Sequence, residues 1–90
     1  MDQSVRLHQV QSFHYCYFSF RGDHGQKHEL RVRVTASLGL EWHLYVNDQE
    51  VGYYIDNEVN IVMADRLADA LSYHSVIRIY TELLSKHVNI

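Results

Sequence analysis

Residues 27–36 alternate strictly between polar and apolar side chains, and this pattern constrains the fold more than any other feature. The apolar positions are Leu30, Val32, Val34 and Ala36. The polar positions between them are Glu29, Arg31, Arg33 and Thr35. Because successive side chains of a strand point to opposite faces, a period of two predicts a strand with one buried face and one solvated face.

Three short polar segments divide the chain around this strand, at residues 21–26, 37–39 and 47–50. Segments of this composition are typical of hairpin turns, and the runs between them are rich in Val, Leu, Tyr and Phe. The pattern predicts antiparallel strands at about residues 5–20, 27–36, 40–47 and 51–56. Residues 58–63 are either a fifth strand or the start of a helix.

Closing the three hairpins predicts a single apolar face with three cross-strand rows. The rows are Phe13-Val34-Trp42-Ile55, Tyr15-Val32-Leu44-Tyr53 and Tyr17-Leu30-Val46-Val51. A slip of one residue in a hairpin would bring charged side chains into these rows, so we expect this register.

Residues 64–87 favour helix, but their apolar stripe changes side near His74 and Ser75. The first stripe contains Leu67, Ala70 and Leu71, and the second contains Val76, Ile79, Tyr80 and Leu83. One straight helix would expose one stripe, so we predict a break at this point, with Ser75 as the cap. The β-branched run at 76–79 leaves a strand as an alternative.

Together these patterns predict one α+β domain that spans residues 1–90. Its antiparallel meander has four strands, or five if residues 58–63 pair. The C-terminal helix follows as one broken helix or two short ones, packed on one face of the sheet.

Composition narrows the class of protein. Apolar residues make up 47% of the chain, so it can form a core, and no apolar run is long enough to span a membrane. The polar, acidic N-terminus and the lone Cys16 lead us to expect a cytoplasmic protein. One cysteine allows neither an internal disulfide nor a multi-cysteine zinc site. The net charge of −3 argues against a protein that coats nucleic acid.

The predicted register leaves a second face open and concentrates arginine, tyrosine and histidine on it. Its rows include His14-Arg33-His43-Tyr54 and Cys16-Arg31-Tyr45-Gly52. The candidate partner-binding residues are His14, Phe18, Arg31, Arg33, His43, Tyr45 and Tyr54. Arg and Tyr are over-represented among residues that dominate binding energy. A plain solvated face with ordinary cross-strand pairs would also have this composition.

These features favour a small non-catalytic protein that binds another protein through the open face or an edge strand. Regulators and inhibitors encoded by phages and mobile elements are of this kind. We expect no catalytic residue, metal or cofactor, because no phosphate-binding loop, nucleophile elbow or zinc-binding helix motif occurs. A homodimer would bury leftover aromatic surface.

Two alternatives use the same residues. A module for single-stranded nucleic acid would stack bases on the exposed tyrosines and arginines. A small enzyme or metal-binding protein would use His14, Cys16 and His43, since a thiol beside a histidine and an arginine can be activated.

Overall fold

A computed structural model describes residues 5–8, 14–58 and 66–88, and within them five antiparallel strands form one sheet in chain order. The strands are β1 (Val5–His8), β2 (Tyr15–Arg21), β3 (Lys27–Val34), β4 (Leu40–Val46) and β5 (Gln49–Asp56). Two helices follow, α1 (Leu67–Ala70) and α2 (Tyr73–Val88). The predicted α+β fold, an antiparallel meander followed by a C-terminal helix packed on it, is confirmed.

The prediction of a single strand over residues 5–20 is wrong. This range contains β1 and β2, which pair antiparallel with Val5 opposite Phe20 and His8 opposite Tyr17. The first edge of the described sheet is therefore β1, and β2 is an interior strand. The alternative strand at 58–63 lies outside the described residues except for Glu58, which is in a bend.

The register predicted between β2 and β3 is wrong by one residue. Cys16 pairs with Val32 and Phe18 with Leu30, whereas the sequence placed tyrosines at these positions. A shift of one residue exchanges the two faces of a strand. Cys16, Phe18 and Phe20 are therefore buried. The structure favours this register because cysteine and phenylalanine lose no polar group on burial, whereas each tyrosine carries a hydroxyl.

The register between β3 and β4 differs from the prediction by two residues, so the predicted faces are correct although the partners change. Val32 pairs with Trp42 and Leu30 with Leu44. All four side chains are buried. An even shift moves each side chain along the strand without moving it to the other face.

The predicted pairing of Val46 with Val51 requires a turn at Asp48 and Gln49, but the last hairpin closes one residue earlier. Asn47 and Asp48 form its turn with positive φ angles of 50° and 69°, a conformation that favours Asn and Asp in two-residue hairpins. A register irregularity follows opposite Leu44 and Tyr45. As a result Tyr54 pairs with Trp42 on the buried face, and the predicted rows that place Tyr53 and Ile55 in the core are wrong.

The helices complete the core against the same face as Cys16 and Trp42. Leu67 of α1 and four side chains of α2 are buried there, namely Val76, Ile79, Tyr80 and Leu83. The predicted break between two helical segments occurs, but at Leu71 and Ser72. The Ser72 hydroxyl accepts a hydrogen bond of 3.1 Å from the Ser75 N–H, so the cap is Ser72 and not Ser75. None of the described helices has the length and apolar character needed to cross a membrane.

Candidate functional site

The face of the sheet opposite α2, which we call the open face, carries three cross-strand rows. They are Tyr15-Arg33-Glu41-Ile55, Tyr17-Arg31-His43-Tyr53 and Ser19-Glu29-Tyr45-Glu50. In the described parts of the chain, both helices pack on the other face. Among the described residues, the open face therefore presents its polar and aromatic side chains without a helix packed on them.

A stacked arginine lies at the centre of the open face. The guanidinium carbon of Arg31 lies 3.8 Å from the centroid of the Tyr45 ring, in a cation–π contact. Arg31 Nε also donates a short hydrogen bond to Glu29 Oε1, and this bond raises the pKa of the guanidinium. Glu29 and Arg31 lie on β3, and Tyr45 lies on β4. Because the sheet fixes the backbones of these three residues, the hydrogen bond and the ring together hold the guanidinium against the sheet.

His43 lies next to this pair, between two carboxylates. Its Nδ1 is 3.1 Å from Glu50 Oε1, and its Nε2 is 3.3 Å from Glu41 Oε1. Each ring nitrogen of His43 therefore lies within hydrogen-bonding distance of a carboxylate oxygen. Glu41 also forms an ion pair with Arg33, whose Nε lies 3.3 Å from Glu41 Oε1. The network links β3, β4 and β5 across the open face.

Tyrosine rings surround the charged network. Tyr15 and Tyr17 lie with ring centroids 6.1 Å apart, and Tyr53 stacks near His43 at 6.0 Å. Partial burial raises the pKa of the Tyr15 phenol. A depression of about 330 Å³ is lined by Tyr15, Tyr45 and Arg31, together with Arg33, Glu41, His43 and Glu50. It is open to solvent and suits a side chain of a partner more than an enclosed ligand.

The structure brings four of the seven predicted binding residues together on the open face: Arg31, Arg33, His43 and Tyr45. The predicted placement of Phe18 and Tyr54 on the open face is wrong. Phe18 is 7% exposed in the core, and Tyr54 packs against the core beside Trp42. His14 is exposed just before β2, where its carbonyl accepts from the Val34 N–H at 2.9 Å. It does not share a row with Arg33 and His43.

Three tyrosines of the open face were missed by the sequence analysis: Tyr15, Tyr17 and Tyr53. All three were assigned to the core as apolar residues. The signal that could have identified them is their hydroxyl group. When a strand offers tyrosine on one face and cysteine or phenylalanine on the other, burial of the second set leaves no polar group to satisfy.

The set His14, Cys16 and His43 is not assembled. Cys16 is 1% exposed on the buried face, and burial raises its pKa to about 12. His43 lies on the open face. A buried thiol with a raised pKa is a poor nucleophile. Among the described residues, no group of three His, Cys, Asp or Glu side chains is placed to hold a metal ion.

The charges of the open face are matched within the face itself. Arg31 has Glu29, and Arg33 has Glu41 as its carboxylate partner. A phosphate group would have to compete with these carboxylates for each arginine. No model of a known protein family, no curated protein and no solved structure matches this chain.

Proposed function

We propose that this chain is a small non-catalytic protein that binds another protein through the open face. The observation that supports this most strongly is the Arg31–Tyr45 pair, which is surrounded by tyrosines on a face that the described helices leave uncovered. Tyrosine and arginine are enriched in protein interfaces and among the residues that dominate their binding energy. A regulator or inhibitor, of the kind that phages and mobile elements encode, would act through such a surface.

Preorganisation of Arg31 supports this proposal. A long side chain that becomes ordered on binding costs about 0.5–1.5 kcal/mol. Arg31 is already held by its hydrogen bond to Glu29 and by its position over the Tyr45 ring, so less freedom remains to be lost. Its outward donors stay in a fixed plane, a geometry that matches a carboxylate or a carbonyl of a partner.

The charge pattern favours a protein over a nucleic acid as the partner. The network of carboxylates around Arg33 and His43 would repel a phosphate backbone, and the chain as a whole carries a net charge of −3. A protein surface of mixed charge and apolar patches meets no such repulsion. Single-stranded nucleic acid remains the alternative partner, and the experiment must distinguish it from a protein.

The test compares two double variants of equal composition. Arg31→Ala/Tyr45→Ala removes the central pair, and Tyr73→Ala/Arg78→Ala removes an exposed arginine and an exposed tyrosine from α2. Crosslinked complexes from source cells, treated with nuclease, identify the partner. Isothermal titration with the purified partner then measures each affinity. Far-UV circular dichroism checks that both variants fold.

We expect the open-face variant to lose roughly 30-fold or more in affinity, the value that corresponds to about 2 kcal/mol for dominant interface residues. The α2 variant should bind like the wild type. Equal binding by both variants would refute the proposal. A complex that nuclease abolishes would replace it with nucleic-acid binding.

A further inference from the structure

Strand β5 forms the second edge of the described sheet. It pairs with β4 on one side, and no other described strand pairs with its outer side. An unpaired edge is a template for another strand, which proteins usually block with lysine or proline. The eight residues of β5 contain neither, and its acidic residues, Glu50 and Asp56, lie near its two ends. The register irregularity affects its beginning, so residues 52–56 pair regularly with β4.

Two exposed apolar side chains lie on this regular part of β5. Tyr53 is 62% exposed and Ile55 is 46% exposed, both on the open face. Residues that alternate along one face of an edge strand can meet the same set on an antiparallel neighbour. This spacing allows β5 to be complementary to itself.

Only a few two-fold registers keep the faces of both sheets aligned, and they differ in what they place opposite each residue. Centring the axis on Tyr53 places Tyr53 opposite itself and each Ile55 opposite Val51, which lies at the register irregularity. Centring it on Ile55 places Tyr53 opposite Asn57, beyond the end of the strand. Centring it on Tyr54 pairs Tyr53 with Ile55 twice and puts each Asp56 opposite a glycine.

We propose that β5 pairs antiparallel with β5 of a second copy of this chain, with the two-fold axis at Tyr54. Each exposed tyrosine then packs on the exposed isoleucine of the other copy, and no two acidic residues of the strands face each other. The two sheets continue into one, and their open faces join into a single surface. The residues that test the proposed function, Arg31 and Tyr45, lie on β3 and β4 and not on β5, so the dimer can be tested separately from it.

Sedimentation equilibrium of the full chain over a range of concentrations tests the dimer. The wild type should sediment as a dimer at high concentration. Tyr53→Lys/Ile55→Lys places lysine opposite lysine and should be monomeric. The control Leu38→Lys/Tyr73→Lys adds the same charges at two exposed apolar positions away from β5 and should remain dimeric.

A charge-swap variant tests the register. In Tyr53→Lys/Ile55→Glu, the proposed axis places each introduced lysine opposite an introduced glutamate, so the dimer should persist and weaken with salt. Hydrogen exchange of the wild type should show protection that rises with concentration in β5. A monomeric wild type, a dimeric double-lysine variant or a monomeric charge-swap variant would overturn the proposal. Dimerisation of Arg31→Ala/Tyr45→Ala should be unchanged, which separates this test from that of the proposed function.

Discussion

A hydrogen bond between His28 and Tyr80 joins β3 to α2 inside the core. His28 Nδ1 lies 2.8 Å from the Tyr80 hydroxyl oxygen, and His28 is 5% exposed. The ring of Tyr80 stacks on Phe20 with centroids 3.8 Å apart. The variant Tyr80→Phe removes the hydroxyl and keeps the stacked ring. It therefore isolates the hydrogen bond from the packing.

The loss of stability that we expect for Tyr80→Phe follows from the burial of His28. Removal of one partner leaves a buried polar group unsatisfied, which costs about 1–3 kcal/mol. The substitution leaves a cavity no larger than the hydroxyl group, so lost packing adds little to the loss of unfolding free energy. A small domain is stable by only about 5–15 kcal/mol, so the variant should lose a substantial fraction of its free energy of unfolding.

Urea denaturation, followed by the fluorescence of Trp42 and by circular dichroism, measures this loss. Trp42 is buried and is the only tryptophan, so its emission reports the opening of the core. The control Tyr73→Phe removes an exposed hydroxyl and should change the free energy of unfolding by less than about 0.5 kcal/mol. The double variant His28→Leu/Tyr80→Phe should lose less than the sum of the single variants, because neither polar group is then left unpaired. A Tyr80→Phe variant as stable as the control would refute the reasoning.

The same histidine makes stability depend on pH. Burial, and to a smaller extent the nearby His87, lower the pKa of His28, while Asp23 in the turn before β3 acts in the opposite direction. The folded-state pKa therefore lies below the unfolded value of about 6.5. The contribution to stability is complete above that unfolded value and is lost as the pH falls through the folded-state pKa. Urea midpoints measured from about pH 7.5 down to about pH 5 should fall, and His28→Leu should reduce this slope; an unchanged slope would contradict the assignment.

Three further variants test two local features, a helix cap and a close backbone approach, by urea denaturation. Ser72→Ala removes the acceptor of the Ser75 N–H and should cost about 1 kcal/mol, whereas a loss below about 0.3 kcal/mol would show that this cap does not matter. Gly39→Ala should destabilise, because its Cβ would lie 2.7 Å from the Asp56 carbonyl oxygen. The matched variant Gly52→Ala should be close to neutral, since its Cβ would make an ordinary contact of 3.6 Å with α2; equal losses would contradict this difference.

The faces of β3 and β4 could be predicted from the sequence because their polar and apolar residues differ strongly. Because burial of Arg31 and Arg33 would cost too much free energy, the face of β3 that carries them must be the exposed one. The same holds for β4, where Glu41 and His43 alternate with Trp42 and Leu44. The register along these strands was less constrained, since a shift of two residues preserves both faces.

The helix break could be predicted for a similar reason, and its position could not. Two apolar stripes on different sides of a helix require a change of direction if both are to be buried. Either Ser72 or Ser75 can cap the second segment by its side chain. The choice of Ser72 depends on how α2 must enter the core to bury Val76 and Ile79, and that is a tertiary constraint.

The errors in β2 and β5 have a common physical origin that bears on the candidate site. Both strands carry apolar or aromatic residues on both faces, so alternation gives no preferred face. One set can enter the thin core of a small domain, and the other must stay outside. The strands whose faces the sequence could not assign are therefore the strands that supply exposed aromatic surface. Tyr15, Tyr17 and Tyr53 flank the charged network of β3 and β4 for this reason, and a partner of the open face would contact them together with Arg31.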